Sequence, residues 1–397
     1  MSRSLRVRAF GEGREDVYLT ALPASGRSAE RGAREVYDGL CAELAARGLE
    51  PVQEKIYGLR RARASVLKAR AAAFSACGLD ASLPSSYIEG RPVSGSFAGV
   101  QLWALSRGRR EEAVRTLRHR TGGGRLWSDG GRRFLYLPAI DGTSPDGTLP
   151  SSRGAQARRM FLNARAALKA GGFEFSDVVR TWIYLHRILE WYADFNAVRS
   201  ALYRRPGFFG RSFFERAPAS TGIEGRGRRG DCVMDLLAVR SEGARGTGVE
   251  WVRRSARQGP APAYGSAFSR AAALGAGARR TVHVSGTASI DAEGRSFAVG
   301  DAEGQSVQTL RSVAAVLEAC GTGFDAVATS VVFHKSRPAF AAFRRAARRL
   351  RLPSWPVVPL LADVCRPELL VEMEAVAVAP RGKRRHFANL PGDRRKP

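Results

Sequence analysis

Glu372 and Glu374 stand two residues apart in an otherwise apolar stretch, Leu369-Leu370-Val371-Glu372-Met373-Glu374-Ala375. Strand alternation puts both side chains on one face, and on the residues alone an acidic face turned to solvent is the plainer reading. The chemical reading differs. A carboxyl held among Leu369, Leu370, Val371 and Met373 is disfavoured as an anion, so it stays protonated near neutral pH and can deliver a proton. Guanidinium groups are the natural complement, because their planar forks bind carboxylates bidentately. Arg199 and Arg345, however, lie in helical stretches, the latter crowded with arginine, where a solvated face is the ordinary outcome. Arg270 follows a loop and could cap a helix or pair with a carboxylate. Cys365, taken alone, reads as a small buried hydrophobe.

Other chemistries find little support. The five cysteines (Cys41, Cys77, Cys232, Cys320, Cys365) are scattered, with no CxxC pair, so neither a disulfide framework nor a zinc site is indicated. The histidines, at 119, 186, 283, 334 and 386, do not pair at metal-ligand spacing. The glycine-rich runs at 122–124 and 225–230 lack the Lys-Ser/Thr of a phosphate-binding loop.

The elements that must position these residues repeat three times. A strand and turn at 17–23 recurs at 134–142 and 282–291. Each is followed by a helix with apolar residues at i, i+3, i+4 spacing, over 33–46, 155–170 and 307–319, closing near Gly48, Gly171 and Gly321. A strand comes next (51–57, 178–185, 327–333), then a second helix (61–76, 191–203, 339–350) and a closing apolar strand (99–105, 232–239, 369–378). The expected fold is therefore α+β, three consecutive β-α-β-α-β modules with helices on one face of a mixed sheet. The modules are placed at 1–115 (the most degenerate), 125–242 and 250–380, with polar linkers at 108–131 and 241–262 and a basic disordered tail at 381–397.

Over 397 residues the net charge is +27, from 64 Lys+Arg against 37 Asp+Glu, and the cations are nearly all arginine. Nucleic-acid binding would favour a stripe or arm of cations; here they are spread over the chain, so nucleic acid is not the expected partner, although an RNA-binding or scaffold role is kept as a rival. A general preference for Arg explains most of the excess, and a positive field would also attract a small dianion. No apolar run reaches the ~18 residues of a membrane helix, and the start of the chain leads into no apolar signal core. A soluble, cytoplasmic protein is expected.

The second and third modules resemble the Rid (YjgF-like) family, most clearly in Arg366-Pro367-Glu368-Leu369-Leu370-Val371-Glu372-Met373-Glu374-Ala375. Rid proteins are homotrimers with sites between subunits, so three modules in one chain imply an internal pseudo-trimer and a monomer in solution. From about Arg180 to Ala379 the chain resembles the chorismatases more specifically. The matching motifs are Arg180-Thr181-Trp182-Ile183-Tyr184, Pro218-Ala219-Ser220-Thr221-Gly222-Ile223, Phe268-Ser269-Arg270 and the run 357–374.

That resemblance implies release of pyruvate from chorismate, a molecule with two carboxylates, a ring hydroxyl and an enol ether. It implies no metal or organic cofactor. Glu372 matches the catalytic acid, and Arg199, Arg270 and Arg345 match substrate-binding arginines. Gly286 and Cys365 resemble the enzymes that form 3-hydroxybenzoate, whereas those forming a dihydrodiol carry alanines. Cys365 would assist at the ring intermediate by hydrogen bonding or proton transfer, and Gly286 would leave room for the ring. The tyrosine-rich segment of the family is compressed here to 258–265, leaving Tyr264 as the surviving match and an upstream tyrosine without an equivalent. Hydrolysis to the dihydrodiol and mixed 3-/4-hydroxybenzoate formation are the sister alternatives. Rid-like imine hydrolysis is disfavoured, since Pro356-Val357-Val358 stands near the place of the Rid arginine. In the second module Asp235 aligns with Glu374 and Val233 with Glu372, so one competent site per chain is expected.

Overall fold

A computed structural model describes residues 5–10, 16–107, 113–120, 122–241, 248–276 and 279–380. The chain begins with β1 (Leu5–Phe10), β2 (Asp16–Ala21), α1 (Ala29–Ala46), β3 (Leu49–Gly58), α2 (Arg63–Ala76), β4 (Ser86–Glu89), β5 (Arg91–Pro92) and β6 (Phe97–Ser106). The middle third holds β7 (Arg115–His119), β8 (Gly122–Asp129), β9 (Arg132–Asp141), α3 (Arg153–Ala170), β10 (Val178–Leu185), α4 (Tyr192–Tyr203), α5 (Phe213–Arg216), β11 (Ala219–Glu224) and β12 (Cys232–Ser241). The last third holds β13 (Val249–Val252), β14 (Ala271–Ala276), β15 (Arg279–Ala288), α6 (Ala302–Ala319), β16 (Val327–His334), α7 (Arg337–Arg349), β17 (Val358–Leu361) and β18 (Val371–Pro380).

These strands form three mixed sheets, ordered β1-β2-β6-β3-β4, β11-β10-β12-β9-β8-β7 and β13-β14-β15-β18-β16-β17-β5. One wiring recurs in each. A first strand pairs antiparallel with the closing strand, which pairs antiparallel with the middle strand, and the middle strand runs parallel to a short fourth (β3 with β4, β10 with β11, β16 with β17). The third sheet borrows β5 from the first third of the chain, where Leu360 opposes Pro92.

The first helix of each module starts earlier than the apolar spacing predicts, because its first turn is fixed by a polar cap. Ser28 Oγ accepts from the Arg31 N–H, Ser152 Oγ from Ala155, and the Asp301 carboxylate from Glu303 and Gly304. Gly48 and Gly321 close their helices with positive φ as expected, but at the end of α3 the left-handed residue is Gly172 rather than Gly171. The 108–131 segment is not all linker: β7 and β8 form a hairpin that extends the second sheet, with Arg115 opposite Leu126. The expected basic tail lies outside the described residues.

Each sheet buries one face under its own helices. Phe161, Met160 and Phe195 pack on the second sheet, Leu310, Val313 and Phe343 on the third, and Val36, Leu40 and Phe74 on the first. The opposite faces meet in one shared core containing Trp103, Trp127, Trp182, Tyr184, Val331 and Val376. Polar contacts cross between the sheets inside it. Ser86 donates to Asp235, Gln101 Nε2 reaches Thr329 Oγ1 and the Ser330 carbonyl at 2.7 Å each, and Arg180 pairs with Glu374 at 2.9 Å. Buried polar groups of this kind must be satisfied, so they fix how the sheets sit against one another.

Candidate active site

A cleft of about 710 Å³ opens between the second and third sheets. One wall comes from the start of α4 (Tyr192, Asn196, Arg199) and from Ser220 and Gly222 on β11; the other from Tyr264, Arg270, Gly286, Cys365, Arg366 and Glu372. Six of the seven residues singled out in the sequence meet here. Arg345 does not.

Glu372 opens β18, opposite Ala288 on β15 and Phe333 on β16, and only 4 % of it is exposed. The solvent-facing reading of the two glutamates is therefore overturned, since Glu374 is equally buried at 5 %. Burial, then the repulsion of Glu374, pushes the Glu372 pKa up to about 8, against the pull of Arg180. A carboxyl in this state is largely protonated at neutral pH.

Gly286 lies at an irregularity in β15, where the register with β18 shifts between Val284 and Thr287. A Cβ at this position would collide with the Glu372 carboxylate and sit 3.1 Å from Thr221 Cγ2. The glycine thus makes room for the acid itself. Its backbone N–H donates to Thr221 Oγ1 at 3.1 Å, and the neighbouring Ser285 hydroxyl donates to the Ser269 carbonyl while accepting from the Ser220 N–H. The bulge is tied in this way to both walls. Cys365 faces the same space; burial first, then the charge of Glu372, pushes its thiol up to about 12, so it is a thiol and not a thiolate.

Guanidinium groups line the cleft. Arg270 is 1 % exposed and donates from Nε and Nη2 to the Gly259 carbonyl at 3.0 and 2.7 Å. Arg366 Nη1 donates to the Gly294 carbonyl at 2.7 Å. Their guanidinium carbons lie 5.4 and 5.7 Å from the ring centre of Tyr264. Arg199 is 1 % exposed and gives Nη2 to Asn196 Oδ1 at 2.5 Å, leaving its buried Nε without a hydrogen-bond partner. A buried donor left open is costly unless a ligand takes it.

Helical phase explains why Arg199 enters and Arg345 does not. On α4, Arg199 shares the buried stripe of Phe195, Leu202 and Tyr203. On α7 the buried stripe is Ala339, Ala342, Phe343 and Ala346. Arg345 falls off it, stays about half exposed and pairs with Glu303 at 3.0 Å. It does not line the cleft.

Arg366 and Tyr192 line the cleft as well and were not singled out in the sequence. Arg366 was visible only as the first residue of the closing motif. Tyr192, at the start of α4, packs against Gly222, and burial followed by the proximity of Cys365 raises its hydroxyl above the usual range. His283 and His334 are buried with neither ring nitrogen hydrogen-bonded, and burial pulls both down to about 3, so they are neutral core residues. Among the described residues no three His, Cys, Asp or Glu side chains gather where a metal could bind, and no helix is long and apolar enough to cross a membrane.

With this geometry in hand, residues 259–379 match the Endoribonuclease L-PSP family. The chain is 30% identical over 229 residues to 3-hydroxybenzoate synthase of Streptomyces hygroscopicus, a match covering 52% of this chain and 65% of that protein, just under two thirds of the relative's length. In three dimensions it is similar to a crystal structure of chorismatase, with a TM-score of 0.59 at 20% identity over 82% of this chain and 92% of the other. RidA from the Antarctic bacterium Psychrobacter sp. PAMC 21119 matches at 20% identity and a TM-score of 0.27, covering 33% of this chain and 100% of that one. The class follows: a mixed α+β protein with a Rid/L-PSP-like last third and the overall fold of a chorismatase. Sequence and fold together support a chorismatase-family relationship with Rid-like modules.

Proposed function

We propose that this chain cleaves the enolpyruvyl side chain of chorismate, releasing pyruvate and 3-hydroxybenzoate. The observation that carries the reading is the buried Glu372 carboxyl, pushed up to about 8 and facing an arginine-lined cleft. The likeness to 3-hydroxybenzoate synthase and to the chorismatase fold supports the substrate.

Arg199, Arg270 and Arg366 hold the two carboxylates of the substrate, and the open Nε of Arg199 is a ready donor. Glu372 gives its proton to the enolpyruvyl methylene carbon, making an oxocarbenium ion. The bond from ring carbon to ether oxygen then breaks, and pyruvate leaves with that oxygen as its carbonyl. The neighbouring ring hydroxyl captures the ring cation and loses its proton, which restores the acid. The bridging oxygen then parts from the carbon that first carried the hydroxyl, the carbon that keeps the oxygen loses its proton, and the oxygen is reprotonated, which completes aromatisation. The two products together contain every atom of the substrate, so no water is consumed. Cys365, as a neutral thiol, assists by hydrogen bonding at the ring. General acid catalysis contributes on the order of 10²–10⁴-fold to such a step.

The three sheets read as an internal pseudo-trimer of modules at 1–115, 125–242 and 250–380, working as a monomer in the cytoplasm. The pocket between the second and third modules is the competent one, because Val233 stands in the second module where the third has Glu372. The test is to incubate the purified full-length chain with chorismate, follow pyruvate with lactate dehydrogenase, and resolve the products by chromatography. No pyruvate ends the proposal. Pyruvate with a product that lacks an aromatic ring leaves a chorismatase but removes the 3-hydroxybenzoate assignment.

A further inference from the structure

We propose that Glu374, locked to Arg180 and through Thr221 to Gly286, is a positioning residue that holds Glu372 in place and in its proton-donating state. The inference deepens the proposed function and rests on it. Four residues from both walls make the chain of contacts. Glu374 Oε2 accepts from Arg180 Nη2 at 2.9 Å, and the same Nη2 donates to Thr221 Oγ1 at 2.6 Å. Thr221 Oγ1 also accepts the Gly286 N–H at 3.1 Å, and Gly286 is the residue whose missing Cβ leaves space for the Glu372 carboxyl. Glu374 and Gly286 belong to the third sheet, Arg180 and Thr221 to the second, so the linkage also pins the two walls of the cleft together.

Two acids on one buried strand face cannot both ionise cheaply. Arg180 is the cation available to them, and its hydrogen bond goes to Glu374. The ion pair with Arg180 is made by Glu374, and Glu372 is left to carry the proton. The other groups around Glu372 do not change this. Cys365, from the loop before β18, and Tyr192, from α4, are both shifted upward and neutral. Arg199, Arg270 and Arg366 line the same cleft as Glu372. From β3, Lys55 lies 3.3 Å over the Trp182 ring and is pulled down to about 7 by burial, with Glu374 and Asp235 opposing that fall. The repulsion of Glu374 and the opposing pull of Arg180 are both felt at Glu372, in the sense the contacts predict.

The experiment is the pH dependence of chorismate turnover by the full chain. In Glu374→Gln the repulsion is gone and Arg180 is uncompensated, so the alkaline limb of kcat moves down by about one pH unit. Arg180→Gln removes the opposing pull and moves the limb up, which keeps the test open should the first variant fail to fold. Glu374→Asp retains the charge and restores the parental limb. A folded Glu374→Gln or Arg180→Gln protein that is slower at every pH with an unmoved limb has lost structure only, and overturns the proposal. Infrared titration of the protonated-carboxyl band, assigned by its loss in Glu372→Gln, supplies a readout independent of turnover. A band midpoint that shifts in Glu374→Gln while the parent makes no pyruvate would retain this inference and discard the proposed function. An active parent whose midpoint does not shift would do the reverse.

Discussion

Replacing Glu372 with Gln keeps the volume of the side chain and removes the proton it can give. At pH 7 a carboxyl with a pKa of about 8 is roughly 90% protonated. A glutamate at its ordinary value of about 4.3 would be protonated in only about one molecule in 500. Burial beside Glu374 therefore raises the working fraction of acid several hundredfold. In the parent, kcat for pyruvate release is expected to be flat below about pH 7 and to fall about tenfold per pH unit above about 8, because the protonated form is the active one. Cys365, at about 12, lies well above that range and does not blur the limb. In Glu372→Gln, kcat at pH 7 should fall by about 10²–10⁴-fold, while chorismate binding measured by calorimetry stays near parental, since the arginines are untouched. The assay is coupled pyruvate detection from about pH 6 to pH 9.5. A Gln variant retaining more than about a tenth of parental kcat, or a parental kcat that climbs between pH 7 and 9, would refute the role of Glu372 as the acid.

Arg366→Ala removes a charged fork from the cleft and should raise KM by about 10–100-fold, the equivalent of one charge-assisted hydrogen bond. Arg345→Ala, on the outer face of α7, should leave KM and kcat within about twofold, and a large KM increase would put that residue back in the site. Gly286→Ala forces the Glu372 carboxyl aside; kcat should drop and the hydroxybenzoate share of the products should fall on chromatography, and an unchanged product ratio counts against the steric role. Cys365→Ala should still release pyruvate but form less hydroxybenzoate, and an unaltered yield would remove the thiol from the mechanism.

Much of the fold was legible in the residues. The recurrence of strand, helix, strand, helix, strand and the periodicity within each helix are local properties, because each element must bury its own stripe or face. The starts of α1, α3 and α6 were missed by two to five residues, since Ser28, Ser152 and Asp301 cap stretches that carry no apolar signal. The hairpin of β7 and β8 was read as linker because glycine and arginine are weak strand formers, and its pairing with β9 supplies what propensity lacks.

The chain by itself determined which residue types were available: an acid in an apolar strand, a glycine and a cysteine to accompany it, and an abundance of arginine. Which of those arginines face the cleft was decided only when three sheets closed on a common core. Helical phase turns Arg199, the single arginine of α4, inward and Arg345, one of five on α7, outward. The same closure buried Glu372 and Glu374 together and brought Arg180 from 194 residues away to pair with one of them. A pKa depends on the dielectric and charges within a few ångströms, and no run of sequence contains that neighbourhood until the sheets are packed.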